Sequence, residues 1–228
     1  MHREDILSKI LTIMKKLISI VTIFAISLFA ANSLYAQTEL TKKQTKAIEK
    51  DVKKRAKELK KGGWEPLASL STMETCMQKY LTYLAQDEEN RIAITGIAIG
   101  KNNKIGRSNA VHSGITEYAS RARAQAIGKI KSIVKADNLD DRVEEIDRFG
   151  AAYEQAVNER MQSLVKEHFA LVRNLANGTK EYNVFMSIDE SEAKEMREEA
   201  AREAAEKTSL KDLSEMTKEF IGEPVEME

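Results

Sequence analysis

Between Phe169 and Asp189 the chain reads FALVRNLANGTKEYNVFMSID. Asn177-Gly178 separates two stretches that alternate apolar and polar residues, the strongest short-range signal for a β-hairpin. A two-residue turn at Asn177-Gly178 sets Ala176 opposite Thr179, Arg173 opposite Tyr182, Leu171 opposite Val184 and Phe169 opposite Met186. Those pairs share a face by the period of two, so a hairpin over roughly 165–176 and 179–188 has one apolar side that needs cover. A lone hairpin is marginal in water and calls for a further strand. RIAITGIAIG (Arg91 to Gly100) supplies it, with Ile92, Ile94, Ile97 and Ile99 in eight residues and Gly96 marking a close approach or a bulge.

The flanking segments read as helix. Over 40–61, Ile48, Val52, Ala56 and Leu59 form a narrow apolar stripe, and Gly62-Gly63 stops the helix after a Lys-rich last turn. Trp64 to Pro66 is an extended connector, and Thr72 to Gln86 is a second helix with Met73, Met77, Tyr80, Leu81 and Leu84 inward. KNNKIGRSN reads as loop, capped at Ser108 or Asn109. From Ala110 to Ala136, Val111, Ile115, Ala119, Ala122, Ala126, Ile130 and Ile133 hold helical spacing, and the Ala face suits close packing on a flat partner such as a sheet. Residues 142–163 repeat the pattern through Val143, Ile146, Phe149, Tyr153, Val157 and Met161, and Glu190 to Thr208 has strong helix-forming composition.

This order predicts an α+β fold: a small antiparallel sheet of about three strands packed against long helices. The divisions are an N-terminal helical extension (37–88), an α+β domain (89–210) and an acidic tail (211–228), behind a leader at 1–36. The leader has Lys15-Lys16, then LISIVTIFAISLFAA without a charge, then a small residue at a cut after Ala36, the pattern of a secretory signal peptide. Residues 1–13 form an upstream extension, with Met14 as an alternative start. The apolar run is short of the roughly 20 residues a bilayer span needs.

Removing 1–36, with four basic and two acidic residues, turns the 36 and 36 of the whole chain into 32 basic and 34 acidic. Near neutrality gives no global attraction to nucleic acid. The charge is nonetheless segregated. Residues 42–61 hold ten Lys or Arg against three acids, while 189–228 hold 14 acids against six bases. The basic helix is the one binding candidate, offering Lys50, Lys53, Lys54, Arg55, Lys57, Lys60 and Lys61 to an anionic surface.

No catalytic constellation is visible. Cys76 is the sole cysteine, which excludes an intrachain disulfide and a Cys-based metal site, and it reads as a small core residue. His112 and His168 show no metal-ligand spacing and read as surface or packing residues. GKNNKIGRS has five residues between its glycines where a phosphate-binding loop needs four, and Arg107 stands in place of Lys. Glu198, Glu199, Glu203 and Glu206, with Arg197, Arg202 and Lys207, read as a solvated, ion-paired helix face. Asn177-Gly178-Thr179 matches a glycosylation sequon but serves the turn. No cofactor, metal or enzymatic activity is expected.

The run AITGIAIG, the Ala-spaced helix containing YASRARAQAIGKI, and NGTKEYNVFMSID leading into EAKEMREEAAREAAEK resemble the LPP-twenty-like envelope lipoproteins. The arrangement is also similar to the N-terminal domain of the flagellar-assembly protein T. With KKGGWEP after the first helix, it is closest to uncharacterised exported proteins of Gram-negative bacteria. The resemblance covers roughly 42–215 and implies a small antiparallel sheet on a long helix, in the periplasm or at the outer membrane. It implies no enzymatic activity and no shared site. The chain departs from the lipoproteins in lacking their lipidated cysteine. The expected function is a non-enzymatic envelope protein acting through protein contacts or self-association, or else a module that binds an anionic polymer such as peptidoglycan or lipopolysaccharide.

Overall fold

The computed structural model describes residues 40–134, 139–208 and 221–227, with the leader and most of the expected acidic tail outside them. Residues Leu40–Glu228 form one compact unit. Its elements are α1 (Lys42–Lys61), β1 (Glu65–Pro66), α2 (Met73–Ala85), β2 (Arg91–Gly100), α3 (Asn103–Ile133), α4 (Leu139–Met161), β3 (Lys166–Asn174), β4 (Lys180–Asp189) and α5 (Glu190–Lys207). The fold is α+β, with four strands in the order β1-β3-β4-β2, every neighbouring pair antiparallel.

Local chemistry sets the helix ends. Thr41 accepts from the Gln44 backbone N–H (3.3 Å) while Gln44 Oε1 accepts from the Thr41 N–H (3.0 Å), a reciprocal capping box that starts α1. Thr72 and Asp189 cap α2 and α5 through single side-chain acceptors. α3 starts seven residues before the expected Ala110, because Asn102 accepts from the N–H groups of Lys104 and Ile105. The expected loop 101–109 is therefore mostly the first two turns of the helix. Only Lys101 and Asn102 separate β2 from α3, so the helix folds straight back over its own strand.

That return needs glycine. A Cβ on Gly96 would lie 1.8 Å from the Ala110 carbonyl oxygen, and one on Gly106 would lie 2.0 Å from the Tyr182 ring. Helix and strand backbones meet at Gly96 against Gly114 and at Gly100 against Gly106. The closeness of that contact outweighs the roughly 1 kcal/mol that each helical Gly costs in propensity. The Ala half of α3 turns instead to other helices: Ala122 and Ala126 line a small space with Tyr153 of α4 and Arg197 of α5. Ile133, expected inside, is 46% exposed at the helix end, and Val143 of α4 is also exposed.

The hairpin departs from its expected register. Gly178 has φ +77°, and Asn177 is not in the positive-φ region that a two-residue turn of this kind demands of both central residues. Leu175 N–H donates to Thr179 O (2.9 Å) and Gly178 N–H donates to Leu175 O (3.1 Å), which makes a three-residue loop of Ala176, Asn177 and Gly178. The ladder slips by one: Arg173 faces Glu181, Leu171 faces Asn183 and Phe169 faces Phe185. A second shift between Glu167 and Phe169 is a bulge at His168.

The slip divides the apolar residues between two faces. Tyr182, Val184, Met186 and Ile188 share the core under α3, α4 and α5. Leu171, Phe169 and Phe185 face the other way, beneath Val52 and Ala56 of α1, Met73 and Met77 of α2, and Trp64. The sheet is thus a middle layer rather than a one-sided one, and α1 and α2 share a core with β3. The fourth strand, β1, is the connector after Trp64: Glu65 and Pro66 pair with Val172 and Leu171.

Candidate functional site

The two sheet edges are built differently. The β3 edge carries β1 at its upper end, contains Pro66, and bulges at His168 lower down. Short edge strands, prolines and bulges all block further strand addition. The β2 edge has none of these devices. Its ten pairings with β4 run without a shift, its other side is unpaired among the described residues, and no Pro or charged residue falls between Ile92 and Ile99.

Its outward face is bare as well. Ala93, Thr95, Ile97 and Ile99 are all exposed, Ile97 at 49% and Ile99 at 58%. One row across the sheet shows where cover stops: Leu171 is 0% exposed, its neighbour Asn183 9%, and Ile97, next in the row, 49%. In that row the layer of α1 and α2 ends above β4. Asn183 lies at that boundary, and its buried Oδ1 has no hydrogen-bond partner among the described residues. The sequence held a signal for this face. Ile92 and Ile94 are even-numbered, Ile97 and Ile99 odd-numbered, so an unbulged strand sends the second pair to the opposite side.

The residues expected to bind an anionic surface lie on α1, whose Val52 and Ala56 are buried against the body. Lys50, Lys53, Lys54, Arg55, Lys57, Lys60 and Lys61 are all exposed. Lys53, Lys57, Lys60 and Lys61 line one shallow depression with Glu74. Lys60 pairs with Glu74 at 2.6 Å and Arg55 with Asp51 at 2.8 Å. The Lys60 hydrogen bond is the main cause holding the Glu74 carboxyl below its usual range.

A groove of about 870 Å³ opens beside the lower β3 edge, between α2 and the start of α3. Cys76 lines it half-buried, 3.7 Å from Ser69 Oγ, rather than sitting in the core. Several of the other polar groups there are engaged within the protein. Arg107 grips Glu167 at 2.7 Å, and Tyr80 donates to the Met186 carbonyl at 2.9 Å. His168 Nε2 lies 2.8 Å from Ser187 Oγ, between the rings of Tyr80 and Tyr83. Burial, with Lys166 and Arg91 nearby, pulls the His168 pKa down to about 4. A nucleophilic serine has to reach substrate, and Ser187 is 1% exposed, so this Ser–His pair is a packing contact.

Arg197 overturns the reading of α5 as a solvated face. It is 1% exposed, ion-paired with Glu190 and bonded to Tyr118 Oη at 2.6 Å. Burial opposes its charge, but the hydrogen bonds with Glu190 and Tyr118 outweigh that and raise its pKa. Burial likewise pushes Tyr118 up to about 12. Arg197 also donates to the carbonyls of Ile221 (3.3 Å) and Gly222 (3.2 Å), and Gln125 donates to Pro224 O (3.1 Å). Residues 221–224 thereby lie against α3 and α5. Glu203 is half-buried, but it is ion-paired as expected, bridging Lys207 and Arg160 at 2.6 Å each.

Among the described residues, no group of three or more His, Cys, Asp or Glu could hold a metal ion, and no helix is long and apolar enough to cross a membrane. Compared with protein-family models, curated proteins and solved structures, the chain has no match, so the open β2 edge stands as a candidate on its geometry alone.

Proposed function

We propose that the protein is a non-enzymatic component of the cell envelope, exported by its leader, that acts through protein–protein contact at β2. The observation that carries this is the unguarded ten-residue edge with Ile97 and Ile99 exposed on its outward face. An extended segment laid along such an edge gains main-chain hydrogen bonds for affinity and side-chain contacts for specificity. The reading agrees with the resemblance to LPP-twenty-like envelope proteins, and it places the chain in the periplasm or at the outer membrane.

A photo-reactive side chain at position 97, in cells, tests it. Protein adducts form from position 97 and not from Ser120, which is exposed on α3. Equal yields from both positions, or none from position 97, refute the reading. Export has its own check: the envelope fraction yields a chain beginning at Gln37.

A second reading rests on the outward display of the seven candidate cations Lys50 to Lys61 of α1, which suits an anionic envelope polymer. Reversing Lys53, Lys54 and Lys57 to Glu then abolishes co-sedimentation with peptidoglycan or lipopolysaccharide. Unchanged co-sedimentation removes this reading.

A further inference from the structure

Resting on the β2 edge as the contact surface, we infer that its partner is a second copy of this chain, paired antiparallel about a two-fold axis. The charge around the strand chooses that partner and that direction. Glu88 and Glu89 stand exposed just before β2, and Lys101 and Lys104 stand exposed just after it. Between Ile92 and Ile99 there is no charge. When the strand meets its own copy antiparallel, the acidic start of each faces the basic end of the other, at both ends of the ladder. A parallel arrangement sets acid against acid and base against base, and opposite charges across a ladder stabilise where like charges destabilise.

Arg91 does not disturb this pattern. Its guanidinium turns back to the Tyr83 carbonyl at 2.5 Å and lies 3.9 Å from the Tyr83 ring centroid. A two-fold axis perpendicular to the sheet keeps each strand's outward face on the same side. Ile97 of each copy then lies against the partner strand on the outward face, one on either side of the axis. Centred on Thr95, the pairing sets Ala93 opposite Ile97 across the axis.

The guarded edge explains why the assembly closes. Joining two 4-stranded sheets through β2 leaves β1 as the outermost strand on both sides. That strand is two residues long and contains Pro66, so neither outer edge accepts another sheet. The contact is isologous and ends at a dimer rather than propagating.

Sedimentation velocity on the purified protein over a micromolar concentration series tests the inference. The wild type sediments as a dimer, and Ile97→Lys sediments as a monomer with an unchanged circular dichroism spectrum. Reversing Glu88 and Glu89 to Lys weakens the dimer about tenfold. Adding Lys101→Glu and Lys104→Glu to that variant restores it, which mere damage to the fold would not allow. A dimer indifferent to both Ile97→Lys and charge reversal overturns the inference. So does a monomer at every concentration. If that monomer still forms adducts from position 97 with a different protein, the edge remains the contact surface and only the second copy is wrong. If it forms none, both fail.

Discussion

Gly96 and Ile97 are neighbours in β2, and they face opposite conditions. On the Gly96 side the strand lies against the backbone of α3, where one added carbon would fall 1.8 Å from a carbonyl oxygen. On the Ile97 side the residue is 49% exposed. The strand is held without slack from one side and left bare on the other. Such an edge is preorganised: a partner strand meets a backbone already extended and immobilised, so little ordering cost remains for the encounter. The contrast also explains why an open edge does not unravel, since its rigidity comes from the helix behind it and from its ten pairings with β4, and needs no strand on the open side.

Substitutions on the closed side have the largest effects. Gly96→Val drives branched carbons into the Ala110 carbonyl, and because backbone cannot swing aside, the cost exceeds the roughly 1–3 kcal/mol of ordinary overpacking. Expression in inclusion bodies, or loss of a cooperative urea transition, is the expected result. Arg197→Met, further inside the same layer, strands Glu190 and frees the carbonyls of Ile221 and Gly222, costing about 3–5 kcal/mol. Urea denaturation measures this, and replacing Glu190 by Gln in the same chain recovers part of the loss.

The outer layer gives intermediate values. Leu171→Ala leaves a cavity beneath Val52 and Trp64 and costs about 2–4 kcal/mol, whereas Ile97→Ala, in the same row of the sheet, changes stability by less than about 0.5 kcal/mol. Equal losses at the two positions would mean that the cover of α1 and α2 extends over β2.

The smallest effect is on pH dependence. His168 titrates near 4 in the fold and near 6.5 when free, so in that window the unfolded chain binds more protons. Stability is therefore full above about pH 6.5 and falls as the pH drops towards 4. His168→Gln flattens this slope in a series of denaturation midpoints, while Ile97→Ala leaves it unchanged.

Much of this architecture is legible in the sequence because local signals agree with it. Thr72, Gly62 and Asp189 mark helix ends at positions that need no knowledge of tertiary contacts. The misreadings share one cause, a distant partner. Gly106 and Asn102 look like loop until the Tyr182 ring, far along the chain, requires a glycine inside a helix. The hairpin slips because Gly178 closes a three-residue loop, a choice that lets Leu171 reach the α1–α2 layer while Val184 stays under α3. Arg197 sits in a run of charges like any surface residue, and it takes Tyr118 of α3 together with Ile221 and Gly222 to enclose it. β1 is two residues long and has no periodicity to read. For the contact surface, the change of isoleucine phase at Thr95-Gly96 was visible, but it acquires meaning only once β2 is seen to lie at the sheet edge.

Hydrogen exchange reads directly whether a partner strand covers β2. Amides of Ile92 to Ile99 are followed at increasing protein concentration, with β3 as the internal reference. Protection of β2 is expected to rise with concentration while that of β3 stays constant, and Ile97→Lys removes the rise. Protection of β2 that is the same at every concentration, or a dimer whose β2 edge exchanges as fast as the monomer's, would contradict that cover.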